Sequence, residues 1–454
     1  MVSISVLISY FIPHTSNLIF HTSNLTLHTS NLILQTSNFM AQRTKTPVWP
    51  LALITSLFFM WGLSNNMTDT LLAAFKKIMS MTDFQTSWIQ MAFYGAYFCL
   101  ALPSALLIKR FTYKTGILVG LGLFIFGSLL FYPASQTMVY GHFLASLYIL
   151  AGGLAILETT ANPYIYELGP PETGVRRLNF AQAFNPIGSI MGVLLSKYFI
   201  LANLNQASDA ERASMEAAQL VAIQRAELNA VMGPYVGVAL FTLLIWILIA
   251  ATKMPKAQDT SQTISFGPTL RRLFSRSNYV WGVMAQFFYV GAQIGVWSFT
   301  IRYAMTELNL DEEGASSYYL AALILFTVFR FVSTYLMKFI PAHRLLGTLA
   351  VAAIGLTSIV IFGGGLTGVL ALVGISACMS LMYPTIYGLS VRGLGADTKL
   401  GSSFLVMAIL GGAVLTAVQG KVSDMTGSIH YAYFVPMFCF AFITYYAFGR
   451  RHVA

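Results

Sequence analysis

The fold is decided by the segment Trp61-Gly62-Leu63-Ser64-Asn65-Asn66-Met67-Thr68-Asp69-Thr70-Leu71-Leu72. It places an acid and two amides inside an apolar run that is about long enough to span a bilayer. In a helix, Trp61, Asn65 and Asp69 recur every fourth residue and share one stripe. A carboxylate in hydrocarbon is costly, so this stripe must face a bundle interior or a wet cavity. Asp69 is therefore a candidate functional residue, and helix packing is the alternative role.

The composition is that of a polytopic membrane protein. Of 454 residues, 56% are hydrophobic and only 9% are charged, and the mean hydropathy is +0.69. About a quarter of an ordinary soluble protein is charged. The net charge of +10 could indicate a nucleic-acid binder, but the basic residues form small clusters between apolar runs. We therefore predict no nucleic-acid partner and interpret the clusters as signals of membrane topology.

Twelve apolar runs of about 20 residues follow Pro47, and this is the length that a helix needs to cross the hydrocarbon core. They are centred near residues 60, 97, 123, 152, 190, 242, 291, 326, 352, 377, 409 and 439. The sequence predicts an all-α membrane protein with twelve transmembrane helices in two pseudo-symmetric six-helix bundles. We assign the bundles to residues 47–252 and 278–454, joined by a cytoplasmic linker, 253–277. The polar segment 203–230 is expected to form a short surface helix.

Basic residues cluster on one side of the predicted spans, and this asymmetry indicates the orientation. If the N-terminus is cytoplasmic, the inner segments hold most of the 26 Lys and Arg residues, while the outer segments carry most of the acids. We expect a multi-pass protein of the cell inner membrane, with both termini in the cytoplasm. We also expect it to be a monomer whose apolar surface contacts membrane lipid.

A seven-residue pattern begins with His14-Thr15-Ser16-Asn17-Leu18-Ile19-Phe20 and occurs four times, at residues 14–20, 21–27, 28–34 and 35–41. Near-identical short repeats are compositional signals rather than folded elements, so their histidines are not predicted to bind metal. No basic segment precedes Val2–Phe11, as a signal peptide would require. We expect residues 1–46 to be a low-complexity, disordered extension. The hypothesis is that translation begins at Met40, which mass spectrometry of the mature N-terminus would test.

The two halves of the chain resemble each other in three pairs of segments. The pairs are Phe58–Gly62 with Phe287–Gly291, Leu107–Phe111 with Tyr335–Phe339, and Asn162–Tyr166 with Tyr383–Tyr387. Transporter folds are built from such internal repeats, with the binding site at the repeat interface near the bilayer midplane. The sequence thus predicts a binding site between the two bundles.

Two acids lie well inside predicted spans, Asp69 in the first and Glu158 in the fourth. Glu158 and Asn162 are four residues apart and share a helix face, where Pro163 frees a backbone carbonyl. A carboxyl group suits proton coupling, because burial favours its neutral form and contact with water its ionised form. We predict that Asp69 and Glu158 carry the proton. Helix-packing hydrogen bonds are the alternative for Glu158.

Other predicted spans carry amide and aromatic side chains, which are the groups that a sugar requires. Amides bind hydroxyl groups, and flat rings cover C–H surfaces. Arg330, in the eighth span, is expected to snorkel or to cap a neighbouring helix. The sequence contains no phosphate-binding loop or HExxH motif, so we predict no enzymatic activity, cofactor or metal site. The candidate sugar-binding residues are Asn65, Asn66, Asn162, Gln182, Asn185, Tyr289, Gln293, Trp297 and Tyr383.

Several of these segments resemble the fucose permease family of the major facilitator superfamily. They are Ser64–Asp69, Leu157–Tyr164, Arg177–Asn185, Tyr289–Gln293 and Met382–Ile386. The resemblance runs from about residue 47 to the C-terminus and implies a twelve-helix transporter for L-fucose or a related hexose. It also implies proton symport, with Asp69 and Glu158 as the coupling pair.

The resemblance leaves the sugar and the coupling ion open, because the family includes glucose/galactose and N-acetylglucosamine carriers, some of them sodium-coupled. Two more distant alternatives are a drug-efflux antiporter, which would prefer a larger apolar pocket, and a sugar sensor that binds without transport.

Overall fold

The structure is a computed structural model that describes residues 46–79, 83–200, 204–205, 207, 209–255 and 266–449. The chain divides into two units, Met1–Pro47 and Val48–Ala454, and all of the helices described below belong to the second. The predicted disordered extension and the proposed start at Met40 fall almost entirely outside the described residues.

Every regular element among the described residues is helical. The helices are α1 Val48–Ile78, α2 Asp83–Arg110, α3 Tyr113–Thr137, α4 Tyr140–Glu167, α5 Gly174–Gln182, α6 Phe184–Leu195, α7 Asp209–Ser214, α8 Ala217–Ala251, α9 Phe266–Ser275, α10 Ser277–Leu308, α11 Glu312–Leu336, α12 Ala342–Phe362, α13 Gly365–Met379, α14 Met382–Val391, α15 Thr398–Met407, α16 Gly411–Thr426, α17 Ile429–Ala432 and α18 Phe434–Gly449. Single 3-10 turns form at Pro171–Thr173, Gly395–Asp397 and Ala408–Leu410, and a π-helical turn forms at Ser196–Ile200.

Within the described part of the chain, eleven helical segments are long and apolar enough to cross a membrane. The remaining predicted span, the seventh, is α10, whose 32 residues exceed the roughly 20 that a crossing needs. Its hydropathy is lowered by polar side chains such as Gln286 and Gln293, which a lipid-exposed helix would not carry. The predicted all-α architecture of twelve spans is confirmed.

The fifth and tenth spans are each broken into two helices near their middle. The fifth is divided at Ala183 into α5 and α6, and the tenth at Ser380 and Leu381 into α13 and α14. Pro186 and Pro384 each lie in the first turn of the second helix, where the missing N–H of proline is tolerated but continuation of the preceding helix is not. These breaks leave backbone carbonyl groups free in the interior of the bundle.

Successive spans run in opposite directions, so α1, α5, α10 and α15 begin on the side where the linker lies, which we call the linker side. On this side α14 packs against α5, and α15 packs against α2 and α4. The first six and the last six spans therefore meet on the linker side. The three repeated sequence pairs fall in the first and seventh, second and eighth, and fourth and tenth spans, as a six-span repeat requires.

The polar segment 203–230 differs from the prediction of a short surface helix. A short helix, α7, does form, but from Ala217 onward the chain already belongs to the 35-residue helix α8. Arg212 and Glu227 stabilise this arrangement through a buried bidentate ion pair with N–O distances of 2.5 and 3.0 Å. The Ala- and Gln-rich composition also favours a continuous helix. The sixth span therefore extends beyond the apolar run that marked it.

Candidate functional site

Glu158 lies in the interior of α4, with only 1% of its surface exposed. Its Oε1 atom accepts a hydrogen bond from the hydroxyl group of Tyr383 in α14. Its Oε2 atom has no hydrogen-bond partner within the described part of the chain. Because α4 belongs to the first six spans and α14 to the last six, this hydrogen bond joins the two halves. A buried carboxyl group with one unsatisfied oxygen requires an explanation, and proton binding supplies one.

Asn162 and Gln182 form an amide pair one helical turn from Glu158. Nε2 of Gln182 donates to Oδ1 of Asn162 at 2.8 Å, and both side chains are buried. Nδ2 of Asn162 has no partner among the described residues. Gln182 is the last residue of α5, so the break in the fifth span positions its side chain toward α4. The pair leaves an amide donor available for a hydroxyl group.

Arg330 lies in α11 with 3% of its surface exposed. Its Nε donates to the carbonyl oxygen of Ser380, and its Nη1 donates to that of Gln182 at 3.0 Å. Both carbonyl groups lie at breaks in a span, where helix ends leave acceptors unsatisfied and favour a cation. The guanidinium also lies 4.5 Å from the ring centroid of Phe326. The expectation that Arg330 snorkels is wrong, whereas the expectation that it caps neighbouring helices is confirmed.

The predicted aromatic residues are held by hydrogen bonds to α13. The Tyr289 hydroxyl donates to the Met379 carbonyl at 3.1 Å, and the Trp297 indole N–H donates to the Ser376 hydroxyl at 3.2 Å. The ring centroids of Tyr289 and Tyr383 are 6.1 Å apart. These bonds fix the ring orientations, so α10 and α14 present aromatic surface next to Glu158.

The structure does not place the remaining candidates in this network. Nδ2 of Asn66 donates to the Gly62 carbonyl of its own helix at 3.3 Å. Oδ1 of Asn65 is buried without a partner among the described residues. Asn185 and Gln293 are half-buried. The sugar-binding roles of these four residues stay predictions.

Asp69 lies on α1 beyond the middle of the helix, in the half away from the linker side. Its backbone is helical, as predicted, but its side chain lies outside the described residues. Its part in proton coupling therefore stays a prediction.

Sequence reasoning missed a third hydrogen bond between the halves, which lies on the linker side and adds to the Tyr383–Glu158 and Arg330–Gln182 bonds. Nδ2 of Asn179 donates to the Thr385 hydroxyl at 3.1 Å, and both side chains are fully buried. Nearby, Lys399 lies 5.4 Å from the ring centroid of Tyr113, and these residues also belong to different halves. Asn179 and Thr385 both occur in the segments that resemble the fucose permease family, which is the signal that could have identified them.

A cavity of about 720 Å³ lies elsewhere, between α1, α6 and α8. Its wall is almost entirely apolar and includes Phe59, Met191 and Phe241, and none of the candidate site residues contributes to it. A sugar needs several polar partners, so this cavity does not suit one.

The family model of the Major Facilitator Superfamily matches residues 52–415. The chain belongs to this superfamily. It is 41% identical to the L-fucose-proton symporter of Escherichia coli (strain K12) over 419 residues, which are 91% of this chain and 96% of that protein. It is 35% identical to the glucose/galactose transporter of Brucella abortus (strain 2308) over 401 residues, which are 87% of this chain and 92% of that protein.

Solved structures give the same result. A crystal structure of the major facilitator superfamily transporter FucP in the outward conformation matches with a TM-score of 0.84 and 41% identity, covering 89% of this chain and 99% of that one. The proton:xylose symporter XylE, at 12% identity and a TM-score of 0.63, shares the fold. The predicted resemblance and fold are confirmed, and this multi-pass membrane protein is related to transporters rather than enzymes.

Proposed function

We propose that this protein is a secondary active transporter that moves L-fucose together with a proton by alternating access. The observation that carries the proposal is the buried carboxyl group of Glu158, hydrogen-bonded across the halves to Tyr383 beside the Asn162–Gln182 pair. The 41% identity to the Escherichia coli L-fucose-proton symporter supports the choice of sugar and coupling ion. We further propose an inner-membrane location with both termini cytoplasmic, and a monomer.

The sugar is proposed to bind between the halves, next to Glu158. The free Nδ2 of Asn162 would donate to a sugar hydroxyl, and the rings of Tyr289 and Tyr383 would cover a C–H face. Two nitrogens of Arg330 donate to backbone carbonyls, so these donors serve the helix breaks rather than a bound ligand. The other residues assigned to the proposed site are Asn65, Asn66, Gln182, Asn185, Gln293 and Trp297.

Proton coupling is assigned to Asp69 and Glu158. An ionised Glu158 accepts a charge-assisted hydrogen bond from Tyr383, and protonation weakens that bond between the halves. Neutralisation therefore favours the rearrangement that separates α4 from α14 and opens the linker side. Asp69 lies in the half of α1 that is away from the linker side, so it would bind a proton that arrives from the side of the membrane opposite the linker.

Glucose/galactose transport is the second candidate, because a transporter with that name is 35% identical over 87% of the chain. The experiment that tests glucose and galactose transport also tests N-acetylglucosamine as a substrate and sodium as the coupling ion. Labelled L-fucose, galactose, glucose and N-acetylglucosamine are offered to vesicles, with pH and sodium gradients imposed separately. We expect L-fucose to accumulate only with the proton gradient. Accumulation of another sugar without L-fucose, or a strict need for sodium, would overturn the proposal.

Two variants test the coupling residues. Asp69→Asn and Glu158→Gln should each abolish uphill uptake, and counterflow should survive in at least one of them, because an amide cannot carry the proton. Glu216→Gln, at an exposed acid that precedes α8, is the control. Proton-driven accumulation at the wild-type level in both test variants would refute the assignment.

A further inference from the structure

A His–Glu pair lies far from Glu158, at the end of the molecule opposite the linker side. Glu307 is in the last turn of α10, and His430 is in the short helix α17 between the eleventh and twelfth spans. Nε2 of His430 lies 2.7 Å from Oε1 of Glu307, and Nδ1 lies 3.0 Å from the carbonyl oxygen of Val360. The backbone N–H of Gly365 donates to Oε2 of Glu307 at 2.5 Å. The pair thus connects α10, the junction of α12 with α13, and α17.

The number of protons in this cluster follows from its geometry. The Val360 carbonyl can only accept, so Nδ1 of His430 must carry a proton. The Val360 carbonyl also accepts a hydrogen bond from the Tyr303 hydroxyl at 2.8 Å, and this bond occupies the second lone pair of the carbonyl oxygen. The 2.7 Å contact between Nε2 of His430 and Oε1 of Glu307 needs another proton. This proton lies either on Nε2, with Glu307 ionised, or on Oε1, with the imidazole ring neutral. In both forms the pair holds one proton more than a neutral histidine and a carboxylate together.

We propose that Glu307 and His430 form a second proton-binding site, which fastens the connections after α12 and after α16 to the end of α10. When the proton leaves, one of the two histidine contacts would bring two lone pairs together. Either the Nε2 contact with Glu307 or the Nδ1 contact with Val360 must then break. The packing of these two connections against the end of α10 consequently depends on the pH at this end of the molecule.

The neighbouring groups leave the proton with the pair. The Tyr303 ring packs edge-on against the His430 ring, with centroids 5.2 Å apart, and against the Tyr433 ring at 5.5 Å. Helix α12 contributes the Val360 carbonyl to the cluster. Other charged or titratable side chains near this end of the elements packed around the pair include Arg302, Lys421, Asp424 and Tyr431, and all four are exposed.

This site bears on transport only if the proposed function is correct. Alternating access requires the end opposite the linker side to open and close. A proton on the Glu307–His430 pair would then stabilise one arrangement of the last six spans. The existence of the proton site itself does not depend on any transport activity.

Thermal unfolding of the full-length protein in detergent, measured from about pH 5 to about pH 9, tests the proposal across the range where imidazole changes its charge. The bonded pair needs its extra proton, so the melting temperature of the wild type should fall as the pH rises, by about 2 °C or more for one lost hydrogen bond. His142→Gln is the matched control. This histidine is exposed at the same end, and its partner, the Thr137 hydroxyl, can either donate or accept.

Glu307→Gln is the decisive variant. Its amide can donate to a neutral Nε2 while still accepting from Gly365, so both histidine contacts persist without the extra proton. We expect the pH-dependent step to disappear in Glu307→Gln and in His430→Gln, with Glu307→Gln staying close to the low-pH stability of the wild type. A step of wild-type size in both variants, or no step in the wild type, would overturn the proposal. Neither outcome depends on whether L-fucose is transported.

Discussion

The hydroxyl group of Tyr383 donates a hydrogen bond to Oε1 of Glu158, a residue that lies 225 positions earlier in the chain. The same tyrosine packs its ring 6.1 Å from that of Tyr289. One side chain therefore contacts both the predicted proton carrier and the predicted sugar-binding surface. If the proposed roles are correct, Tyr383 links the proton site to the sugar site, and such a link is the physical requirement for coupling two transported species.

Tyr383→Phe tests this relationship, because it keeps the ring and removes the donor. An ionised Glu158 would then lose its described hydrogen-bond donor in a buried site, which costs about 1.5–3 kcal/mol for a charged group. We expect proton-driven accumulation of L-fucose to fall about 10- to 100-fold, while counterflow falls less. Both activities are measured in proteoliposomes.

Tyr279→Phe is the matched control for that prediction. Its hydroxyl donates to the Gly401 carbonyl at 2.8 Å within the last six spans, and its side chain is also buried. It should affect accumulation and counterflow alike. If Tyr383→Phe also reduced both by the same factor, the hydrogen bond would have a structural role alone.

Gln182→Ala tests the amide pair. The change removes the donor to Oδ1 of Asn162 and frees that side chain to turn away from the site. We expect the KM for L-fucose to rise about tenfold, as for the loss of a buried hydrogen bond, with a smaller change in the maximal rate. Gln136→Ala is the control, because Gln136 makes a similar amide bond of 3.2 Å to Asn229 at an exposed position. An unchanged KM would remove Gln182 from the sugar site.

The number and order of the spans could be predicted from the sequence, because a bilayer requires each crossing to be about 20 apolar residues long and internally hydrogen-bonded. The depth of Glu158 followed from the same logic. The extent of α8 could not, since it depends on the buried pairing of Arg212 with Glu227. Hydropathy marks where lipid begins and ends, but not where a helix ends in water.

The partners within the site were harder to predict than its members. Helical spacing indicated the face on which Asn162 and Tyr383 lie, but not that Gln182 and Glu158 would bind them. Arg330 shows the reason most clearly. Its hydrogen-bond acceptors are backbone carbonyls at two helix breaks. Every residue has a backbone carbonyl, so the sequence does not indicate which ones accept. Such contacts require the three-dimensional position of each break.

Arg330→Lys tests the bridge between the two breaks. A guanidinium can serve the Ser380 and Gln182 carbonyls with separate nitrogens, whereas an ammonium is a compact point charge. We expect a lower melting temperature in detergent and at least tenfold slower L-fucose uptake, because one buried carbonyl loses its donor. Arg302→Lys is the control. The guanidinium of Arg302 lies 4.4 Å from the ring centroid of Phe299, and a lysine there keeps the positive charge. This variant should change the melting temperature and the uptake rate much less. Equal effects of the two substitutions would contradict a special role for Arg330.

Thr385→Val tests the contact that closes the linker side. The substitution preserves the side-chain shape but removes the hydroxyl group that accepts from Asn179. Losing about 1 kcal/mol between the halves should shift the balance about fivefold toward the form that is open on the linker side. This shift toward the open form would be measured as faster alkylation of a single cysteine. The cysteine is introduced as Val175→Cys in a variant without Cys99, Cys378 and Cys439.

Val175 is suited to this measurement because it is buried against Gly388 of the other half, so its reactivity reports their separation. Thr357→Val is the matched control. Its hydroxyl is also fully buried but donates to the Ala353 carbonyl of its own helix at 2.7 Å, so its loss leaves the contact between the halves intact. We expect no change in alkylation there. If Thr385→Val left the alkylation rate unchanged as well, the Asn179–Thr385 bond would not hold the linker side closed.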